Sequence, residues 1–338
     1  MASMTAQNEP VVQNDEKKLE LKDLKPGDIL IFDTDDSLID KLITRLTKST
    51  VTHAALFVQN GETALLADAG GTGIDLHRLT SEGEIRGINV RRLTKEGGFG
   101  EEYEKAVAPV IDIAYDYVRQ DLPYPYSDLV LLAMIIVFKD VSHCSLNSAN
   151  VIKLLQVAAA EIKTIIDNKY HDGKHTMVCS SYVYQCFLDA SATNKDLKIN
   201  IENGDVQPAK KQKRSAALFD LYVEHAAEYS VNAKRFTEAK LEPVTDSIDE
   251  ILNNLIDKEN QHHISLIKSN ILSKAIEEFL KVLLKAAGCI AESITDLIEN
   301  AKKQQSLFVT PNDLYCHTTN TESVGKVYLY RDGDEYKI

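Results

Sequence analysis

Two short segments, far apart in the chain, carry a histidine and a cysteine in settings suited to chemistry. His53 opens an apolar, strand-like run at residues 53–58, and Cys179 lies where a helical pattern begins. A cysteine is a useful nucleophile only as the thiolate. A helix N-terminus and a nearby histidine both lower the pKa of a thiol from about 8.5 towards neutrality. The two segments therefore predict a thiol nucleophile, Cys179, with His53 as its base.

A third polar residue normally holds the second ring nitrogen of such a histidine and fixes its tautomer. Asp68 is the best candidate. It lies on the strand predicted at 63–69, which the Asn60-Gly61 turn joins to the histidine strand. Cross-strand neighbours in a hairpin are close in space, so Asp68 is expected to reach His53. Against the hypothesis that Cys179 is a nucleophile, most buried cysteines are simply small apolar residues.

The remaining histidines considered, namely His77, His143, His171 and His175, are interpreted as surface residues. His175 and Cys179 are separated by one helical turn, which would suit a pair of metal ligands. Two ligands without a third or fourth nearby do not make a metal site. We therefore predict no metal and no cofactor.

The elements that must position these residues mix strands and helices. Strand patterns follow the turn at 26–27 and occupy 53–58, 63–69, 307–309 and 324–330. Helical patterns occupy 37–47, 103–119, 129–138, 176–188 and, with interruptions, 215–305. This order predicts an α+β fold, in which a small antiparallel sheet packs on helices, a helical insertion interrupts it, and C-terminal strands complete it.

The domain organisation follows from shifts in composition. We predict a disordered leader at 1–20, a core at 21–190, a helical insertion or subdomain at 191–306, and C-terminal strands at 307–338 that complete the core. The leader is polar and has no periodicity. The polar, partly basic segment 194–214 reads as a linker or an exposed loop.

Composition excludes several classes of function. The net charge of −13 argues against nucleic-acid binding, which needs a basic face. The longest apolar run, 129–138, is too short to span a bilayer, so we predict that the chain is not an integral membrane protein. The five cysteines lack zinc or redox spacings, which indicates reduced thiols. With no apolar signal segment, we expect a cytoplasmic protein or a secreted effector without a signal peptide.

The motifs resemble those of a known family. In chain order they are KPGDIL at 25–30, THAAL at 52–56, ADA at 67–69 followed by GI at 73–74, and CSSYV at 179–183. They resemble the circularly permuted NlpC-type branch of papain-like cysteine hydrolases, the YiiX-like proteins, which are related to the lecithin:retinol acyltransferase group. PYS at 125–127 and TPNDLY at 310–315 resemble two further family motifs, the second at a strand entry. The resemblance covers 22–190 and 307–330 and leaves the helical stretch between them unexplained.

The resemblance implies a permuted papain-like fold and a role for each matching residue. Cys179 would be the nucleophile, His53 the general base and later the general acid, and Asp68 the orienting residue, a place that the family more often gives to glutamate. Tyr126 would line the oxyanion site together with the backbone N–H of Cys179, with Tyr124 as its substitute.

Three functions remain open at this stage. The first is a cysteine-dependent hydrolase of amide bonds, a peptidase or amidase acting on peptides or acylated amines. The alternative is an acyltransferase that moves a fatty acyl group to a lysine or a lipid, with 129–138 and the insertion helices lining an acyl groove. The third is a non-catalytic interaction protein that uses helices within 215–305 to bind a protein partner or a second copy. Apolar stripes on helices more often face their own core.

Overall fold

A computed structural model describes residues 17–70, 73–80, 86–120, 128–169, 178–202, 217–229, 240–256, 270–304 and 308–335. The strands are β1 Ile29–Asp33, β2 Val51–Asn60, β3 Thr63–Gly70, β4 Gly73–Thr80, β5 Arg86–Leu93 and β6 Thr321–Glu335. The α-helices are α1 Leu38–Thr47, α2 Tyr103–Arg119, α3 Asp128–Phe138, α4 Ser148–Lys169, α5 Cys179–Ala190, α6 Leu218–Tyr229, α7 Ile248–Asn253, α8 Asn270–Ala286, α9 Ile294–Lys303 and α10 Pro311–Cys316. The predicted α+β fold class is confirmed.

The strands close into an antiparallel barrel in the order β1-β2-β3-β4-β6-β5. Each strand contributes side chains of one alternating face to a single buried apolar cluster inside the barrel, as Leu30, Phe57, Leu66, Ile88 and Val327 illustrate. Strand β6 pairs with both β4 and β5, so the C-terminal part of the chain closes the barrel.

The β2–β3 hairpin shows how local sequence sets the barrel register. Asn60 pairs with Thr63, and Gly61 between them takes a φ of 59°. This left-handed backbone conformation suits glycine, which has no Cβ to clash, and it explains the turn predicted at Asn60-Gly61. The opposite strand faces, including Leu56 and Ala67, pack under α2 and α5 in a second apolar cluster.

A third apolar core joins helices from both halves of the chain. It includes side chains of α1, α3, α4 and of every helix from α6 to α9. Helix α3 is buried on all sides, with its residues from Leu129 to Val137 at most 7% exposed. The helices of the predicted insertion thus share one core with α1, α3 and α4. Within the described ranges, no helix combines the length and apolar content needed to cross a membrane.

The predicted disordered leader does not hold for residues 17–19. The backbone N–H of Leu19 donates to the carbonyl oxygen of Lys326 at 2.8 Å, and the N–H of Lys326 donates to that of Lys17 at 2.8 Å. Leu19 is buried in the cluster inside the barrel. This short stretch therefore pairs with β6; residues 1–16 lie outside the described part of the chain.

The strand predicted at 307–309 is wrong for the two residues of it that the structure describes. Residues 308–309 lead instead into α10, because Thr310 caps that helix. The Thr310 hydroxyl accepts the N–H of Asp313, while the Asp313 carboxylate accepts the N–H of Thr310 at 2.8 Å. This reciprocal capping box satisfies backbone donors that a strand would have paired elsewhere.

Candidate active site

Cys179 is the first residue of α5, three residues after the predicted start of that helix. Ser181 fixes this start, because its hydroxyl accepts the N–H of Val178, the N-cap residue, at 3.1 Å. The amides of the first helical turn have no carbonyl within the helix to bond to, and the positive end of the helix dipole lies beside them. The Cys179 side chain therefore sits where an anion is stabilised, and the residue is 2% exposed.

Two hydrogen bonds hold the beginning of α5 against the rest of the protein. The Ser180 hydroxyl donates to the carbonyl oxygen of Val309, just before α10, at 2.8 Å. Two residues later, the Tyr182 hydroxyl donates to the carbonyl oxygen of Ala114 in α2 at 3.3 Å. All of these side chains are buried, so the position of Cys179 is set by packing on both sides of the helix.

His53 lies on β2 at a β-bulge. Phe32 pairs with His53, but the next residue of β1, Asp33, pairs with Val51, so Thr52 is the extra residue. Bulges of this kind redirect a side chain and are common beside active sites. The Thr52 hydroxyl donates to Asp40 Oδ2 at 2.8 Å, which ties the bulge to α1. The strand is predicted by the sequence pattern, but the bulge is not.

The structure brings His53, Asp68 and Cys179 together. His53 Nε2 lies 2.8 Å from Asp68 Oδ2, and the Asp68 side chain is fully buried. Burial by itself lowers the pKa of His53. A negative charge on Cys179 and hydrogen bonds with Asp68 and Cys179 outweigh that effect and raise the pKa to about 10. With Nε2 donating to the carboxylate, Nδ1 is the ring nitrogen left to face the thiol.

The predicted surface position of His77 is wrong. Its side chain is only 5% exposed, and its Nε2 lies 3.6 Å from Asp68 Oδ1. The register explains this, since His77 lies opposite Leu66 and Asp68 lies opposite Asp75 on the same inward face of β3 and β4. Strand β4, which carries His77, was not among the predicted strands; its first residue, Gly73, pairs with Gly70 of β3.

The other predicted residues are distributed as follows. Tyr124 and Tyr126 lie outside the described residues, as do His171 and His175. His143 is exposed as predicted, with Nε2 3.1 Å from the carbonyl oxygen of Arg45. The five cysteines are free thiols. Burial raises the pKa of the thiols of Cys144 and Cys186, which keeps them protonated near neutral pH, whereas Cys316 is exposed.

Among the described residues, no group of three or more His, Cys, Asp or Glu side chains is arranged so that it could hold a metal ion. No protein-family model matches the chain, and a search of curated proteins found no match.

Proposed function

We propose that the protein is a cysteine-dependent hydrolase of amide bonds, a peptidase or amidase of the permuted papain-like, YiiX-like kind that its motifs resemble. One observation carries the proposal: His53 lies between Cys179, at the start of a helix, and the buried carboxylate of Asp68. This is the arrangement of a nucleophile, a base and a group that orients the base.

The first step uses the protonated form of His53. Because the pKa of His53 is raised to about 10, the imidazolium form is favoured beside the Cys179 sulfur at neutral pH. The thiolate attacks the carbonyl carbon of the amide and forms a C–S bond. The C–N bond then breaks as His53 gives its Nδ1 proton to the leaving amine, which leaves a thioester on Cys179 and a neutral histidine.

The second step returns the site to its starting state. Neutral His53 accepts a proton from water through Nδ1 as the water oxygen attacks the thioester carbonyl. The C–S bond breaks, and the carboxylic acid leaves with the Cys179 thiolate regenerated. Throughout, Asp68 accepts the Nε2–H of the ring and keeps it in one tautomer. The backbone N–H of Cys179 is the proposed donor to the oxyanion, with Tyr126 or Tyr124 as the second donor implied by the resemblance.

The two alternative functions receive less support. An acyl groove built on 129–138 would need apolar side chains open to a ligand, whereas α3 packs against α1, α4 and α6. The helices of the insertion likewise bury their apolar stripes in the shared core. Amide hydrolysis is therefore the better-supported function, and analysis of the reaction products distinguishes it from acyl transfer.

The proposal is tested by measuring, with mass spectrometry, the rate at which iodoacetamide alkylates each cysteine between about pH 5 and pH 10. This range covers the titrations of ordinary histidines and thiols. We expect Cys179 to react faster than Cys144, Cys186 and the exposed Cys316 below neutral pH. In His53→Ala, the alkylation rate of Cys179 should fall to that of an ordinary thiol. A Cys179 rate that equals that of Cys316 at every pH, and is unchanged in His53→Ala, would contradict the proposal.

Product analysis then separates hydrolysis from transfer. The protein is incubated with a library of peptide amides and with acyl donors, each with and without an added amine. Formation of carboxylic acid that the amine does not suppress supports the hydrolase. Formation of a new amide from the added amine as the main product would favour the acyltransferase instead.

A further inference from the structure

We infer that His77 is a positioning residue that holds the Asp68 carboxylate in the orientation in which it bonds to His53. The inference rests on the proposed function and extends the interacting side chains from Cys179, His53 and Asp68 by one residue. The geometry that carries it is a single carboxylate lying between two imidazole rings, one on each oxygen.

The two contacts differ in kind. Oδ2 of Asp68 lies 2.8 Å from His53 Nε2, a hydrogen bond to the ring that faces the thiol. Oδ1 lies 3.6 Å from His77 Nε2, a polar contact that is too long for a hydrogen bond. The Asp68 side chain is fully buried and that of His77 is 5% exposed, so water screens neither contact well.

Asp68 needs such a contact because of where it lies. It occupies the inward face of β3, on which Leu66 belongs to the apolar cluster inside the barrel. A buried carboxylate is costly unless it is paired and hydrogen-bonded. The last torsion of an aspartate side chain is also soft, so the carboxylate plane can rotate about a single hydrogen bond unless other contacts hold it. A second ring on the far oxygen restricts that rotation.

The neighbouring charge makes the restriction more important. The β3–β4 register places Asp75 directly opposite Asp68 on the same face. A like charge directly opposite is unfavourable for a carboxylate. His77 lies two residues from Asp75 along β4 and presents its Nε2 to the Asp68 carboxylate, which gives Asp68 a polar neighbour on that side.

The test compares His77→Phe with His77→Gln in the full chain. Phenylalanine keeps an aromatic ring of similar size but removes the Nε2 group, whereas the glutamine amide places an N–H donor near the Nε2 position. Two quantities are measured: the Cys179 alkylation rate, and the NMR signal of the His53 Nε2–H proton and its protection from exchange with water. His317→Phe is the matched control, because His317 also contacts a buried carboxylate, that of Asp313, at 3.2 Å.

We expect His77→Phe to slow Cys179 alkylation about 10-fold, the lower end of the loss seen when a residue that orients a metal-binding side chain is removed. The His53 Nε2–H signal should lose its protection. His77→Gln should restore both properties, and His317→Phe should change neither. A folded His77→Phe protein with wild-type alkylation and an unchanged His53 signal would overturn the inference.

Two further measurements keep the inference testable and separate it from the proposed function. If His77→Phe does not fold, the ring signals of both histidines are compared between wild type and Asp68→Asn. Both should shift, and a shift of His53 alone would overturn the inference. If His53→Ala slows Cys179 alkylation but His77→Phe does not, His77 has no positioning role and the proposed function stands. If neither variant slows it, the proposed function itself fails.

Discussion

Asp68→Asn tests the step on which the proposed mechanism depends most. Asparagine has the same shape as aspartate, but it carries no charge, and its amide group can present an N–H donor to the N–H of His53. The Asp68 side chain is fully buried and its Oδ2 lies 2.8 Å from His53 Nε2, so solvent does not replace the lost interaction. The imidazolium of His53 is thereby destabilised beside Cys179.

The size of the effect follows from the kind of bond that is lost. A hydrogen bond to a charged group contributes about 1.5–3 kcal/mol, and about 1.4 kcal/mol corresponds to a factor of ten. Only the thiolate reacts with iodoacetamide, and its fraction in acid depends on the stability of the thiolate–imidazolium pair. We therefore expect Asp68→Asn to slow Cys179 alkylation below neutral pH roughly 10- to 150-fold.

The assay is alkylation of Cys179 followed by mass spectrometry, with Asp28→Asn as the matched control. Asp28, the residue before β1, is another fully buried carboxylate; it is bonded to Arg92 at 2.6 Å and precedes by four residues Phe32, the partner of His53. The control variant should lose stability and keep the wild-type alkylation rate. If folded Asp68→Asn reacts within about twofold of the wild type, far less than one charged hydrogen bond predicts, Asp68 does not orient His53.

Three further outcomes are expected. Because His53 must be protonated to release the amine, kcat/KM should fall as pH rises through about 10, and a decline near the ordinary histidine value of about 6.5 would contradict the raised pKa. Cys179→Ala should abolish turnover and leave the circular dichroism spectrum unchanged, so retained turnover would exclude the nucleophile. Arg92→Met should lower the free energy of unfolding in urea by about 3–5 kcal/mol, since Asp28 keeps a buried charge, whereas the exposed Arg119→Met should change it by less than about 0.5 kcal/mol.

The sequence predicts the elements whose signals are local. The helix predicted at 103–119 has the ends that the structure shows, because an amphipathic pattern of this length is too long for a strand and has the period of a helix. The spacing of Ser247 and Glu250 is that of a capping box, and the Ser247 hydroxyl accepts the N–H of Glu250 at 3.2 Å. Both features depend on residues within a few positions of each other.

The site was predictable only to the extent that it is local. Asp68 was assigned to His53 from the β2–β3 hairpin, which a two-residue turn fixes. The bulge at Thr52 and the inward position of His77 depend on pairing with β1 and on the β3–β4 register, neither of which the periodicity of one segment reveals. Likewise, β6 pairs with β4 and β5 through residues more than two hundred positions apart in the chain, so composition could not predict these pairings.

The C-terminal segment connects the two halves of the proposed site. Cys179 belongs to a helix and His53 to the barrel, so their relative position depends on whatever fixes α5 against the strands. The carbonyl oxygen of Val309 accepts a hydrogen bond from the hydroxyl of Ser180, the residue after Cys179. After Val309 the chain passes through α10 into β6, which closes the barrel. One continuous stretch therefore binds the start of the helix that carries Cys179 and completes the barrel that carries His53. Helices α6 to α9 lie between α5 and this stretch in the chain, and they pack with α1, α3 and α4 in one apolar core.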